Sequence, residues 1–243
     1  MRWALVVALA LLAGCGDEGG DARLVVSAAS SLSKPLTACS TSFYGADVRL
    51  SFGGSDELAA QIRQGVKPDV YAAANTRLPD QLAQEGLLGE PVRFATNELV
   101  IAVPADGAAA SVEDLAEPGV KLAIGAEGVP VGSYTRDVLG RLPSGVRERI
   151  FANVRSEEPD VNGVVGKLTQ GAADAGFVYK TDIVDGVKAV ALPEALQPRV
   201  AYGAGVVEGA KQAGLAQRYL DGLTDGACAD ALRDARFGPP PVA

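Results

Sequence analysis

The sequence predicts an α/β fold of parallel or mixed sheets flanked by helices, and three observations predict it. Short runs of β-branched and apolar residues alternate with stretches whose apolar residues recur every three to four positions. Gly, Ser or both stand at several junctions where a strand-like run hands over to a helical one. The chain of 243 residues is 48% apolar, enough to build proper cores. Such alternation puts helices on both faces of a sheet, in one wide sheet or two smaller lobes.

The amino-terminal segment stands apart from this pattern. Met1-Arg2 is a short basic start, Ala4 to Leu12 is apolar, and Leu12-Ala13-Gly14-Cys15 follows. Residues 1–14 therefore read as a lipoprotein signal peptide, with Cys15 as the lipidated first residue of the mature chain. The apolar run is well short of the ~20 residues that span a bilayer. Residues 15–23, rich in Gly and Asp, read as a lipidated tether.

Leu24-Val25-Val26 is the first buried strand. Leu32, Leu36, Cys39 and Phe43 then recur at helical spacing, with Pro35 tolerated in the first turn. Val48 to Phe52 alternates as a strand, and Gly53-Gly54-Ser55-Asp56-Glu57-Leu58 opens a helix with Ser55 as its N-cap. Leu58 and Ile62 face inward and Gly65 ends that helix. A strand at Asp69 to Ala74 and a helix from Leu78 to Leu88 follow. Glu98 to Val103 is an apolar strand, Ser111 to Asp114 caps a short helix, and Lys121 to Gly125 is a further strand. Val129 to Gly132 leads into a helix from Ser133 to about Leu142. Val161 to Gln170 is helical and Asp174 to Tyr179 a buried strand. Strands at Val187 to Leu192 and Val200 to Val207 precede closing helices at Lys211 to Leu223 and Cys228 to Arg236. About eight strands result.

Composition excludes several kinds of chemistry. There is no His, which removes Ser-His-Asp and Cys-His catalysis and every His-based metal site. The formal net charge of −8 becomes −9 once the signal segment with Arg2 is gone. That acidity argues against nucleic acid, whose backbone demands clustered Lys and Arg. With Cys15 acylated, Cys39 and Cys228 remain, and in an oxidising compartment two thiols read as a structural disulfide. Ser31-Leu32-Ser33-Lys34 has the spacing of an S-x-x-K acyl-transfer nucleophile, but no S-D-N occurs, and Lys180-Thr181-Asp182 has Asp where K-T-G needs Gly. Gly163 to Leu168 lacks the Ser or Thr that a P-loop places after its Lys. Glu157-Glu158 reads as a solvated loop.

Three junctions remain: Ser30-Ser31, Gly53-Gly54-Ser55 and Gly132-Ser133. In α/β proteins these gather at the carboxyl ends of the strands, where ligands bind. Helix N-termini there present free N–H groups and partial positive charge, so they hold an anion without a cationic side chain. Serine hydroxyls add donors, and small residues let the backbone come close.

Several stretches resemble one family. They are Ala28-Ala29-Ser30-Ser31-Leu32, Gly54 through Ile62, Pro68-Asp69-Val70-Tyr71-Ala72-Ala73-Ala74, Phe94 through Ile101, Val129-Pro130-Val131-Gly132-Ser133-Tyr134 and Asp174-Ala175-Gly176-Phe177-Val178-Tyr179. Together, and in this order, they resemble the molybdate-binding proteins of ABC importers. The resemblance implies a two-lobed type II periplasmic-binding-protein fold, with lobe I formed by 24–97 and 201–243 and lobe II by 98–200. Crossover strands would lie near Thr96 to Leu99 and near Arg199 to Gly203, and Cys39 and Cys228 would share a lobe. It also implies an oxyanion site in which Ser31 and Ser55 donate hydroxyl and backbone N–H bonds. Backbone N–H groups at Val131 and Val161 and the Tyr179 hydroxyl donate from the other side. The expected ligand is molybdate or tungstate and the expected partner an ABC permease. The chain would be a monomer that catalyses nothing, needs no cofactor and touches the membrane through Cys15.

One position departs from the family pattern. Many relatives carry two successive serines where this chain has Ser55-Asp56. Molybdate, tungstate and sulfate are deprotonated near neutral pH and want donors only, whereas phosphate keeps an O–H that needs an acceptor. The expectation is that Asp56 faces outward in the first helical turn, where the helix dipole favours it.

Overall fold

The computed structural model describes residues 22–241. The signal segment, Cys15 and most of the tether lie outside the described residues. The first strand, β1 (Ala22–Ala29), starts two residues inside the span expected as tether, because Ala22 and Arg23 pair with Ala46 and Asp47. A single 3-10 turn (Ser30–Leu32) leads from it into α1 (Ser33–Ser40). Then follow β2 (Ala46–Gly53), α2 (Ser55–Arg63), β3 (Val70–Ala73), α3 (Arg77–Gln84) and β4 (Val92–Asn97). Next come β5 (Leu99–Pro104), a 3-10 turn (Glu113–Ala116), β6 (Leu122–Gly125), α4 (Pro130–Gly140) and α5 (Ser144–Ala152). The remaining elements are β7 (Val154–Glu158), α6 (Val161–Thr169), β8 (Ala175–Tyr179), β9 (Val187–Ala191), β10 (Val200–Val206), α7 (Ala213–Thr224) and α8 (Ala227–Asp234).

The strands divide into two five-stranded sheets, ordered β2-β1-β3-β10-β4 and β7-β6-β8-β5-β9. In the first, β1 runs parallel to β2 and β3, and β10 lies antiparallel between β3 and β4. In the second, β6 runs parallel to β7 and β8, while β5 lies antiparallel between β8 and β9. The fold is thus two α/β lobes of the type II binding-protein kind. The chain passes between the sheets twice, once through Glu98 alone and once through 192–199. Thr96 also exchanges backbone bonds with Gly238, so the carboxyl-terminal segment is laced to the strand beside the first crossing.

The inner strands are apolar because they are covered on both faces. Consecutive residues, which point to opposite faces, are buried in Val26 to Ala29 of β1 and Leu99 to Val103 of β5, as two-sided burial demands. Helices seat close to the strands where side chains are small. A Cβ on Gly132 would lie 2.1 Å from the Ala126 carbonyl oxygen, so α4 reaches β6 only with glycine there. A disulfide joins Cys39 of α1 to Cys228 of α8, tying the first helix of the lobe to the last. Beside it Tyr219 packs edge-on against Phe43, with ring centroids 5.4 Å apart.

Ten strands form among the described residues, two more than the sequence suggests. β7 is an edge strand pairing only with β6, and its outward side carries Arg155 and Glu157, so its polarity conceals it. Glu157 and Glu158 therefore belong to a strand rather than a loop. Glu157 accepts from Arg136 (2.8 Å) and Glu158 from the Ser156 hydroxyl (2.7 Å). β4 is half-exposed and closes the edge of the first sheet. The helix α5 also escapes the periodic pattern, since Ile150 is its one buried side chain.

Candidate anion-binding site

Four helix beginnings meet between the two lobes. The 3-10 turn after β1 and the start of α2 come from the first lobe, and the starts of α4 and α6 from the second. They enclose one small cavity, in which the centre of a water-sized sphere has about 10 Å³ to move. That is room for about one compact group. Ser31, Ser55, Val131, Val161 and Tyr179 all line it, so the five positions taken from the resemblance are brought to a single place. Among the described residues no Lys or Arg is in the lining, whose one charged residue is Asp160, so any positive potential here comes from backbone dipoles and polar hydrogens.

Each of these positions is placed by its element. Ser55 is the first residue of α2, with Gly54 rather than Ser55 in the N-cap position. The Ser55 hydroxyl accepts a bond from the Ala74 backbone N–H at 3.1 Å, which leaves its own hydrogen free. Ser31 is buried in the turn after β1, its hydroxyl 3.1 Å from that of Tyr202 on β10. Val131 sits in the first turn of α4, which starts at Pro130, three residues before the expected Ser133. Proline at the first helical position lacks only an N–H that would have no partner in any case. The third junction thus lines the cavity through Val129 to Val131, while Gly132 serves packing. Val161 opens α6, and the carboxylate of its N-cap Asp160 accepts from the Gly163 N–H at 3.0 Å.

Tyr179, the last residue of β8, is the most telling. Its side chain is 1% exposed and lines the cavity, yet its hydroxyl has no hydrogen-bond partner among the described residues. A buried hydroxyl without a partner costs about 1–3 kcal/mol, so this one calls for a ligand. Burial, with Tyr202, Tyr134 and Asp182 nearby, pushes the phenol well above its ordinary value, so it stays a neutral donor. Its ring is held edge-on between Tyr134 (6.4 Å) and Tyr202 (5.9 Å).

The alternatives from the sequence meet obstacles here. Lys34 is exposed on α1 and outside the lining, so no ammonium stands ready to activate buried Ser31. Lys180-Thr181-Asp182 is a 3-10 turn, not a strand edge. Asp56 is only half-exposed and not turned fully outward: its Oδ1 is buried without a partner among the described residues. Nor does it line the cavity. It lies at the seam between the lobes, its Oδ2 3.9 Å from where a Cβ on Gly128 would stand, because the first turn of α2 is pressed against the loop before α4.

A second carboxyl, Asp182, gave no signal in the sequence. Its Oδ2 is also buried without a partner. Burial raises it to about 7, a backbone bond from Tyr179 opposes the rise, and Asp160 adds to it. Tyr179 and Tyr202 are the phenols that feel its charge. The native chain therefore holds this proton more tightly than an unfolded chain, whose carboxyl titrates near 3.8. Stability from this group is full below about pH 4 and declines as pH rises to about 7. Asp182→Asn should remove that decline, so the variant's advantage over wild type grows between pH 4 and 7 and then stays level. Urea midpoints of both chains across that range test it, and parallel curves would contradict it.

A two-lobed α/β fold with two crossings and a closed cleft lined by helix N-termini defines a solute-binding protein. Comparison with known proteins agrees. The sequence profile of the family described as bacterial extracellular solute-binding protein matches residues 24–237. The molybdate-binding protein ModA of Mycobacterium tuberculosis H37Rv is 35% identical over 238 residues, covering 93% of this chain and 88% of that protein. Among solved structures, the periplasmic molybdate-binding protein of Azotobacter vinelandii superposes with a TM-score of 0.78 at 21% identity, covering 90% of this chain and 100% of the other. The sulfate-binding protein SubI of M. tuberculosis also superposes at 0.78, with 14% identity over 90% of this chain and 87% of SubI. The chain belongs to the family of bacterial extracellular solute-binding proteins. The fold is shared equally by a molybdate and a sulfate protein, so the backbone alone does not select the anion.

Proposed function

We propose that the chain captures molybdate, and tungstate with it, outside the cytoplasm and delivers it to the permease of an ABC importer. The observation that carries this reading is a donor set with no cation among the described residues: the Ser31 and Ser55 hydroxyls, the first N–H groups of α4 and α6, and the unpartnered Tyr179 hydroxyl around one small cavity. The likeness to ModA over most of both chains supports the choice of molybdate. Stripping water from a dianion is costly, and several simultaneous charge-assisted bonds from both lobes offset it. Lobe I, taken by its strands as 22–97 and 200–241 rather than 24–97 and 201–243, and lobe II, taken as ending at 199 rather than 200, are the units that close on the anion, and the permease recognises the closed form. Once the signal at 1–14 is removed, a lipid on Cys15 holds this monomer at the membrane surface. Binding, not catalysis, is its work.

Thermal unfolding with molybdate, tungstate, sulfate and phosphate in turn tests the cargo. A ligand at 1,000 times its dissociation constant stabilises by about 4 kcal/mol. Stabilisation by molybdate and tungstate alone is expected, and a response to sulfate or phosphate alone would replace the cargo while keeping the site. Tyr179→Phe tests the site itself. It should weaken molybdate binding by roughly 1.5–3 kcal/mol, the worth of a hydrogen bond to a charged group. Calorimetry showing wild-type affinity would place Tyr179 outside the site.

A further inference from the structure

We infer that Tyr202, with Asn97 behind it, is a positioning residue that fixes the Ser31 hydroxyl as a donor and so sets selectivity against protonated oxyanions. The inference rests on reading the cavity as an oxyanion site. Its basis is the direction of each hydrogen bond in a chain running from the crossing between the lobes to the cavity.

The direction is forced at its far end. Asn97, the last residue of β4, accepts the Glu98 backbone N–H on its Oδ1 at 2.9 Å, which fixes its amide orientation. Its Nδ2 can then only donate, and it does so to Thr181 Oγ1 at 2.8 Å and to the Tyr202 hydroxyl at 3.4 Å. With one lone pair of Tyr202 receiving that bond, the phenolic hydrogen turns to its other neighbour, Ser31 Oγ, at 3.1 Å. Ser31 thereby accepts from Tyr202 and sends its own hydrogen into the cavity it lines. Ser55 is wired alike, accepting from the Ala74 N–H. Ser31 and Ser55 thus face the cavity as donors.

The arrangement is rigid. Tyr202 is fully buried and packs edge-on against Tyr179 (5.9 Å), Phe94 (6.0 Å) and Phe237 (5.3 Å). Burial also keeps its phenol neutral, because it raises the group well above its ordinary value. A fully deprotonated dianion uses every donor offered to it. Phosphate at neutral pH keeps one O–H, and Ser31 and Ser55, held as donors, offer it no acceptor; Asp160, also in the lining, has its Oδ1 engaged by the Gly163 N–H.

Two variants test this, read out as the ratio of phosphate to molybdate dissociation constants by calorimetry at constant pH. Tyr202→Phe keeps the ring but frees the Ser31 hydroxyl to rotate and accept. The ratio should fall by about tenfold, the worth of one such hydrogen bond. Asn97→Asp replaces the donor with an acceptor, so Tyr202 turns its hydrogen to Asp and Ser31 must donate backwards. Its lone pair then faces the cavity, and the ratio should fall further. A role in packing alone would weaken both anions in parallel and leave the ratio unchanged in both variants, which overturns the inference. So does a wild-type chain that takes phosphate as tightly as molybdate. A wild-type preference for sulfate over molybdate overturns the cargo reading alone, and the sulfate ratio then judges Tyr202 in the same way.

Discussion

Replacing Gly54 with Ala should weaken molybdate binding by roughly ten- to a hundred-fold, the cost of forcing one extra carbon into a packed seam. Gly54 has φ −62° and ψ 132°, a conformation any residue adopts, so the backbone has no need of glycine there. The need comes from the opposite lobe. A Cβ on Gly54 would stand 2.4 Å from the carbonyl oxygen of Pro159, just before α6. That obstacle is main chain and cannot swing aside. An unliganded chain with its lobes apart does not meet the clash, so its melting temperature should change little while its stabilisation by molybdate shrinks. Calorimetry and small-angle scattering at saturating molybdate check this together. Wild-type affinity with a wild-type decrease in radius would show that the seam has room to give.

The disulfide should carry the largest single contribution to stability. Cys39 and Cys228 are separated by 189 residues, so the bridge closes a loop of most of the described chain. On the chain-entropy account a loop this long contributes about 3–5 kcal/mol. A Cys39→Ser, Cys228→Ser double variant should melt roughly 6–20 °C lower, at about 2–4 °C per kcal/mol for a chain of this size. Differential scanning calorimetry measures it. A drop of under about 2 °C would mean that the unfolded ensemble is already confined without the bridge.

Much of this was legible in the sequence because it lies where local pattern and burial agree. β1, β5 and β8 are covered on both faces and read as apolar runs, and the serine junctions announce the turns that follow β1 and β2. What escaped has a common cause. β7 and α5 are stabilised by neighbours rather than by their own periodicity, so an exposed edge and a single Ile150 left little to see. The site shows the same division. Ser31, Ser55 and Tyr179 carry motifs, and the family resemblance places them with Val131 and Val161. Asp56 and Asp182 could not be read, since whether a carboxyl is buried depends on what the other elements press against it. Tyr202 and Asn97 lie 105 positions apart and meet only because β4 and β10 pair side by side.

The place of β10 in the first sheet has a consequence for the order of events at birth. The second sheet is drawn from one continuous stretch, Leu99 to Ala191, and is whole once that stretch has emerged. The first sheet is begun earlier but finished later, because β10 separates β3 from β4 and is made about a hundred residues after them. Until residues 200–206 arrive, β3 and β4 each present an unpaired edge, the feature of nascent chains most open to wrong pairing. Oxidation waits longer still, for Cys228. The lobe that starts the chain is therefore the last to close, and the interval before β10 emerges is when this protein most needs to be kept apart from its neighbours.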